Sequence, residues 1–257
     1  MSSPRKIAVY NQKGGAGKST TAANLAVALA SKPLQRRVLA LDLDKQGNLS
    51  LMLGHNPAAA PGNMTDVFEG RPLEECTVAV SDGLDLVVGD DGLANVEFNL
   101  QSARRREEIL ARQLQDELDG YDYVLIDCPP NQGLLAVNAC VLADEVLVPV
   151  RMNDPNAVNG LGDLIVFLED LADAAWPRPI SSVLRLDVDR RLDIYAALNE
   201  ALESMELPIA EQEISHRTAV SKAIAQGVPI AAAQPNRGAG WEYRCFAHEL
   251  DAITVAS

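Results

Sequence analysis

The segment that most constrains the fold is the run IAVYNQKGGAGKST at Ile7–Thr20. It starts with a short apolar stretch typical of a buried strand, continues through a glycine-rich turn and ends in residues that open a helix. Gly14, Gly15 and Gly17 can adopt backbone angles closed to other residues, so consecutive N–H groups can point inward at one polyphosphate. The positive end of the following helix favours the same anion. The pattern predicts a strand, a phosphate-binding loop and a helix.

The residues at the end of the loop have distinct expected roles. Lys18 would neutralise β- and γ-phosphate oxygens, the Ser19 hydroxyl would ligate Mg²⁺, and Thr20 lies where the α-phosphate is expected. The loop departs from the common G-x-x-x-x-G-K-[ST] pattern, since Gln12 replaces the first glycine and Lys13 adds a second lysine. The predicted phosphate-binding residues are Lys13, Gly14, Gly15, Ala16, Gly17, Lys18, Ser19 and Thr20.

Two further motifs place carboxylates at strand ends. VLALDLDKQGN at Val38–Asn48 puts Asp42 and Asp44 after one apolar strand, and YDYVLIDCPP at Tyr121–Pro130 puts Asp127 after another. Ligands of open α/β sheets bind at the carboxyl ends of the strands. We therefore expect Asp44 to orient or activate the attacking water, and Asp42 and Asp127 to support the metal together with Ser19.

Apolar β-branched runs alternate with helical patterns along the whole chain. This alternation predicts one α/β domain spanning residues 1–257, with a parallel sheet between helices and right-handed crossovers. Predicted strands are Ile7–Tyr10, Val38–Leu43, Leu84–Val88, Tyr123–Ile126, Glu145–Val150 and Ser182–Leu186. Predicted helices are Ser19–Ala30, Arg104–Leu118, Gly160–Ala174, Leu192–Ser204, Ala219–Gln226 and Trp241–Ala252, with surface loops at His55–Asn63 and Ala231–Gly240.

The net charge of −14 would repel a polyanion at long range, so DNA binding would need a local basic patch. Arg190, Arg191, Arg217 and Lys222 are the candidate contacts, and a solvated helix face is the alternative interpretation. The denser run Arg104–Arg106 is followed at once by two glutamates, which favours an ordinary charged surface.

The four cysteines, at 76, 128, 140 and 245, include no CxxC pair, which argues against a disulfide framework and a zinc ribbon. The apolar stretches are too short or too interrupted to span a bilayer, so a cytoplasmic protein is expected. The first predicted strand begins a few residues from the start, and we therefore expect no N-terminal helix-turn-helix domain and no operator binding.

These motifs resemble the ParA/MinD family of deviant Walker A ATPases, and specifically its ParA-type partition members. The resemblance lies in NQKGGAGKSTTAANLAVALA at Asn11–Ala30, DLDKQGNLS at Asp42–Ser50 and DCPPNQGLLAVNA at Asp127–Ala139, and their order agrees over nearly the whole chain. It implies a three-layer P-loop NTPase fold with a mostly parallel central sheet flanked by helices, and ATP with Mg²⁺ as cofactors.

The resemblance also implies a mechanism. Two copies would sandwich the nucleotide, Lys13 would reach the partner's phosphates, and Lys13, Lys18 and Asp44 would serve hydrolysis to ADP and phosphate. The ATP-bound dimer would bind nonspecific DNA on the nucleoid. A ParB-like or cargo-adaptor protein would stimulate hydrolysis, so that the cycle partitions or positions DNA or other cargo.

By the same resemblance, adenine contacts fall near Ile214 and Ser215. The chain departs from the family pattern there and nearby, with Ser215 and His216 in place of Pro-Arg, Lys45 in place of Pro, and Leu186–Asp187 in place of Thr and Met. These departures bear on adenine and DNA binding and leave the phosphate loop intact.

Three different classes of protein remain possible from the sequence. A MinD-like membrane ATPase would need a basic amphipathic C-terminus, but the segment Trp241–Ser257 carries Glu242, Glu249 and Asp251, which favours a packing helix and no membrane contact. A ligase or an electron-transfer enzyme on the same fold would need different chemistry, and in the second case a cysteine pair holding a cluster. A pure interaction module with a vestigial ATPase is disfavoured by the complete set of loop and acidic residues.

Overall fold

The computed structural model describes residues 3–253 and contains a seven-stranded sheet in the order β3-β4-β2-β5-β1-β6-β7. The strands are β1 (Arg5–Val9), β2 (Val38–Asp42), β3 (Thr77–Ser81), β4 (Leu84–Val87), β5 (Tyr123–Asp127), β6 (Glu145–Arg151) and β7 (Ile180–Leu186). Neighbouring strands are parallel apart from the β3–β4 hairpin at one edge. The expected mostly parallel sheet is confirmed.

Helices cover both faces of this sheet. They are α1 (Lys18–Ala30), α2 (Asn48–Met52), α3 (Met64–Phe68), α4 (Leu73–Cys76), α5 (Leu93–Leu100), α6 (Ile109–Gln113), α7 (Leu134–Leu142), α8 (Ala157–Asp173), α9 (Asp193–Glu203), α10 (Thr218–Ala225), α11 (Ile230–Ala233) and α12 (Gly238–Ala252). Successive strand residues point to opposite faces, so Ile7 and Val9 belong to one core while Ala8 and Tyr10 belong to the other. The three-layer fold is thus built from two cores, one on each side of the sheet.

The register of the central strands brings the predicted site residues together. Asp127 at the end of β5 pairs with Asp42 on β2 and with Val9 on β1. Because the strands are parallel, the phosphate loop after β1 and both carboxylates lie at one edge of the sheet.

The predicted helix Arg104–Leu118 is largely wrong. Residues 101–108 form turns, Arg105 has a left-handed φ of 52°, and only Ile109–Gln113 is helical. The Asn138 side chain on α7 accepts a bond from the Leu110 N–H (3.0 Å) and donates to the Arg106 carbonyl (2.8 Å). These tertiary bonds satisfy the backbone that a longer helix would have used, and they override a favourable helical composition.

Two other sequence predictions need correction. Strand β3 was not predicted, because its residues alternate between half-buried and exposed and carry no long apolar run. The segment Ala231–Gly240 is not a surface loop throughout. Ala231 is fully buried in α11, and α12 already begins at Gly238.

Candidate functional site

The phosphate loop runs from Tyr10 to Gly17 between β1 and α1. Asn11 fixes its first part, since its side-chain amide donates to the Pro149 carbonyl on β6 and its oxygen accepts from the Lys13 N–H, both at 2.9 Å. Gly15 and Gly17 have φ of 76° and 95°, values that other residues adopt only with strain. Two of the three loop glycines, Gly15 and Gly17, therefore take backbone angles closed to other residues, and Gly14 does not.

The loop has one open side and one closed side. A side chain at Gly14 or Gly15 would meet nothing within 4 Å, whereas a Cβ at Gly17 would lie 2.5 Å from Leu186 Cδ1 at the end of β7. The end of strand β7 therefore packs closely on the loop where α1 begins. Backbone N–H groups on the open side remain accessible to an anion.

Lys18 is almost completely buried, and its Nζ donates to the Lys13 carbonyl at 3.3 Å. Burial lowers the pKa of this amine, while Asp127 and Asp44 nearby oppose that change. A buried ammonium held over a glycine-rich loop is suited to phosphate oxygens, which would replace the weak carbonyl contact.

Asp42 is fully buried and held by a network of donors. Its Oδ2 accepts from both the N–H and the hydroxyl of Ser50 (2.9 and 2.7 Å), and its Oδ1 accepts from the Asp44 N–H at 3.3 Å. Burial raises the pKa of Asp42 to about 6, against the lowering effect of the Ser50 bonds. The Gly89 N–H donates to the Ser50 hydroxyl at 3.1 Å and completes the network.

Asp127 lies beside Asp42 and lacks such support. Within the described residues, neither of its buried carboxylate oxygens has a hydrogen-bond partner. Burial raises the pKa of Asp127 well above its usual range, the neighbouring Asp42 raises it further, and the Ser19 hydroxyl and Lys18 oppose the rise. A buried, unpaired carboxylate next to a hydroxyl and a second acid fits a divalent cation that is also held by phosphate oxygens.

Asp44 is less buried than the other two acids. It lies in a turn where its Oδ1 accepts from the Gln46 N–H at 3.0 Å and its carbonyl accepts from the Gly47 N–H at 2.9 Å. Its negative charge acts to raise the pKa of the Lys18 amine. A carboxylate that reaches solvent beside the phosphate loop can contact a water molecule there.

Lys13 does not point into its own loop. Its Nζ forms an ion pair with Asp154, which precedes α8, and this bond lowers the pKa of Asp154. The side chain remains about one-third exposed. Sequence reasoning did not find Asp154, because the partner lies far along the chain and carries no motif.

Four of the six predicted adenine and DNA residues line one polar cavity of about 590 Å³ at the carboxyl end of β7, and Ile214 and Lys222 do not. Its lining includes Arg190, Arg191, Ser215, His216 and Arg217. The Ser215 N–H and hydroxyl both donate to Glu242 at 2.7 Å, and the Ile214 side chain is buried in the core. The backbone here is thus bound in place.

The basic side chains of this region differ in their partners. Arg190 is bound to Glu213 (2.7 Å) and Arg191 to Asp189 (2.6 Å), so acids neutralise both. Arg217 and Lys222 are exposed and form no ion pair with any residue between 3 and 253. The local patch therefore rests on these last two cations, at the start of α10 and within it.

Helix α12 and the candidate metal ligands bear on the membrane and electron-transfer hypotheses. Helix α12 packs on α1 and buries Tyr243, Phe246 and Leu250, as expected of a packing helix, and residues 254–257 of the predicted segment Trp241–Ser257 lie outside the described part. Within residues 3–253, no helix is long and apolar enough to cross a membrane. The same residues contain no group of three His, Cys, Asp or Glu side chains arranged to hold a metal.

Taken together, the glycine loop, the buried lysine and the paired strand-end acids define a P-loop nucleotide-binding protein of the three-layer α/β class. Comparisons with known proteins identify the family within this class. A family profile described as an AAA domain matches residues 4–178. The chain is 39% identical over 196 residues to the chromosome partitioning protein ParA of Caulobacter vibrioides, covering 73% of this chain and 71% of the relative.

Two more relatives cover nearly the full length. The sporulation initiation inhibitor protein Soj of Bacillus subtilis is 30% identical over 250 residues, with 96% of this chain and 98% of Soj covered. A Mycobacterium smegmatis structure, described as cobyrinic acid a,c-diamide synthase with bound ADP and magnesium, is 32% identical with a TM-score of 0.79, covering 96% of this chain and 94% of that one. The chain belongs to the ParA/MinD family of P-loop ATPases.

Sequence analysis also missed Ser50 and Gly89, which belong to the hydrogen-bond network around Asp42, although the sequence offered some signal for both. Ser50 lies inside the DLDKQGNLS motif, and Gly89 follows the predicted strand Leu84–Val88. A Cβ at Gly89 would lie 2.6 Å from the Asp44 carbonyl oxygen, so only glycine allows β4 to close on the acidic turn. A small residue after a strand that neighbours the acids is the pattern that would have identified it.

Proposed function

We propose that this chain is an ATP-dependent dimerising switch that hydrolyses ATP to ADP and phosphate. In its ATP-bound state it binds nonspecific DNA, and through this cycle it partitions or positions DNA or another cargo on the nucleoid. A ParB-like or cargo-adaptor protein stimulates the hydrolysis. The whole described chain serves as one ATPase domain.

The observation that carries this proposal is the Asp127 carboxylate, which is buried without a hydrogen-bond partner at the edge of the sheet that holds the phosphate loop. Leaving a buried carboxylate unpaired costs free energy, and a structural role offers no compensation. Mg²⁺ bound through Ser19, Asp127 and Asp42 would neutralise charge on the β- and γ-phosphates. Relatives with bound ATP, ADP and magnesium support these cofactors.

The remaining residues act on the nucleotide directly. Residues 13–20 surround the phosphates, with Lys18 on the β- and γ-oxygens, and Asp44 orients the attacking water. The exposed part of Lys13 supports its role toward the phosphates of a partner copy, which requires that it leave Asp154. Ser215 borders the polar cavity, and the backbone of Ser215 and of the preceding Ile214 would contact adenine.

DNA binding is the finer part of the proposal. Arg217 and Lys222 are its main contacts, and Arg190 and Arg191 add charge only when they exchange their acidic partners for phosphate. A dimer would present each cation twice, which strengthens a weak patch. Such binding would fall steeply with salt.

One experiment tests the proposal as a whole. DNA co-sedimentation is measured with ADP, ATP and a nonhydrolysable analogue over a salt series, with ATP hydrolysis in parallel, on the wild type, Lys13→Ala and the matched surface change Lys32→Ala. We expect DNA binding that needs ATP, weakens with salt and is lost only in Lys13→Ala. An ATP-bound dimer that ignores DNA at low salt would contradict the DNA part and leave the ATPase part standing.

A synthase is the second candidate, because the Mycobacterium smegmatis relative is described as cobyrinic acid a,c-diamide synthase. ATP consumption that requires an added carboxylic acid and an amide-nitrogen donor would favour it. A cluster-based electron-transfer enzyme is disfavoured, since Cys128 and Cys140 are both fully buried within one chain and could not share a cluster with a partner copy. A MinD-like membrane ATPase finds no support in α12, which is engaged on α1.

A further inference from the structure

Tyr10 follows β1 directly and opens the phosphate loop, and its side chain is completely buried. Its backbone N–H donates to the Leu147 carbonyl on β6 at 3.0 Å. Its ring packs on the Phe167 ring of α8, with the two centroids 5.5 Å apart. Because β6 and α8 both hold it, Tyr10 provides a fixed point beside the loop that would bind phosphate.

The Tyr10 hydroxyl joins this fixed point to a distant segment of the chain. It donates to the Asn131 carbonyl at 2.9 Å. Burial raises the pKa of the phenol above its ordinary value, so the group stays protonated and remains a donor. A buried tyrosine hydroxyl usually has a hydrogen-bond partner. Here that partner is the backbone of the loop between β5 and α7.

This loop, residues 128–133 with the sequence CPPNQG, connects the candidate metal ligand Asp127 to the start of α7. Its first N–H donates to β1 at 3.3 Å, and its last carbonyl accepts from α7 at 3.1 Å. Its two prolines have no N–H to donate. Among residues 3–253, Tyr10 makes the single hydrogen bond found on the loop backbone between these two ends. The middle of the loop therefore depends on one bond for its position.

The loop lies at the edge of the sheet where the phosphate loop also lies, because β1 and β5 are adjacent and parallel. Its residues 130–132 are exposed and include two amide side chains, Asn131 and Gln132. The Asp127 carboxyl, by contrast, belongs to a strand that pairs with β1 and β2 on its two sides. Loss of the Tyr10 bond would thus free the loop and its amides without moving Asp127 or residues 13–20.

We propose that Tyr10 is a positioning residue for ATP hydrolysis, whose hydroxyl holds the loop 128–133 next to the bound phosphates. In this role Tyr10 acts through the loop and not by contact with the nucleotide. Without the bond, the exposed loop would sample several arrangements, and a smaller fraction of molecules would have it in place when the phosphate is attacked. The effect on hydrolysis rests on the proposed function above, whereas the hold on the loop does not.

The test compares the wild type with Tyr10→Phe, which keeps the ring and removes the hydroxyl. Tyr121→Phe is the matched control, because it removes a bond of the same length, 2.9 Å, to Asp85 at the opposite edge of the sheet. Single-turnover hydrolysis and titration with a fluorescent ATP analogue are measured at saturating Mg²⁺. We expect Tyr10→Phe to hydrolyse ATP about fivefold more slowly, which corresponds to the ~1 kcal/mol that one hydrogen bond contributes. Its affinity for the analogue should stay within about twofold of the wild type, and Tyr121→Phe should match the wild type in both measurements.

Thiol labelling followed by mass spectrometry reports on the loop itself. Cys128 is its first residue and Cys140 lies in α7, and both are fully buried. Release of the loop should make Cys128 react faster in Tyr10→Phe than in the wild type, while Cys140 should keep its rate. A general loss of stability would not produce this selective change.

An unchanged hydrolysis rate in Tyr10→Phe would overturn the proposal. A parallel loss of ATP affinity, or equally faster labelling of Cys128 and Cys140, would show that Tyr10 only supports the fold and would overturn it as well. If the wild type does not hydrolyse ATP, the proposed function fails and the effect on the rate fails with it. The labelling of Cys128 then still decides whether Tyr10 holds the loop, and an unchanged labelling rate would refute that hold.

Discussion

Replacement of Asp42 by asparagine should stabilise the nucleotide-free protein at neutral pH. Burial raises the pKa of this carboxyl from 3.8 to about 6, so the folded state holds its proton more tightly than the unfolded state. The free energy of unfolding therefore falls as the pH rises from about 4 to about 6, and it stays low above that range. A shift of about two pKa units corresponds to about 3 kcal/mol.

The contacts around residue 42 determine how much of this free energy the asparagine substitution recovers. The asparagine oxygen can still accept both Ser50 bonds, and its amide can donate to the unpaired Asp127 oxygens. The long Asp44 N–H bond at 3.3 Å is lost, at a cost of about 1 kcal/mol. We expect a net gain of about 2 kcal/mol, or roughly 4 to 8 °C in Tm for a domain of this size.

The assay is thermal unfolding in a chelator from pH 4.5 to 8, with Asp91→Asn as a control that removes one exposed carboxylate. Asp42→Asn should gain stability over the wild type above pH 6 and lose that advantage near pH 4.5, whereas the control should show no such dependence. A gain that is independent of pH, or a loss of stability at pH 7.5, would refute the argument that burial of the charge is the dominant effect.

Three further predictions follow from the site geometry. Gly17→Ala should cost about 1 to 3 kcal/mol and weaken ATP binding, because φ is 95° and the new Cβ would lie 2.5 Å from Leu186 Cδ1; Gly162→Ala on α8, which has open space for a Cβ and lies outside the loop, is the control in nucleotide titrations. Ser50→Ala should raise the Mg²⁺ concentration needed for half-maximal ATP hydrolysis, with partial rescue by threonine. Thiol labelling of the native protein should modify Cys245 before the three other cysteines, which are buried.

The phosphate site was predictable because its residues are local. Glycines, the helix start and the strand ends occur within short windows, and parallel pairing then brings Asp42 and Asp127 side by side whatever the loops do. The two cores, one on each side of the sheet, follow from the alternation of apolar strands and helical segments along the chain. Short elements such as α7, which is buried on nearly every side, carry no amphipathic signal and were missed.

Contacts between distant segments could not be predicted. The bond from Asn138 to the loop before α6 decides that Arg104–Leu118 is mostly turns, and no window of the sequence contains both partners. The ion pair of Lys13 with Asp154 could not be predicted for the same reason, since it joins the phosphate loop to the distant segment before α8. The count of basic residues also overstated the patch, because two of the four candidate DNA contacts are paired with acids that line the same cavity.

The distribution of charge reconciles a strongly acidic chain with the proposed binding of DNA. Long-range repulsion depends on net charge, but affinity for a polyanion depends on the cations that face it. Arg217 and Lys222 lie at α10, whereas the uncompensated acids of α8 and α9 lie on other helices. The proposed dimer would present these cations twice and would leave the acidic helices for a basic partner. It could then bind two oppositely charged partners at once, and salt should weaken both interactions.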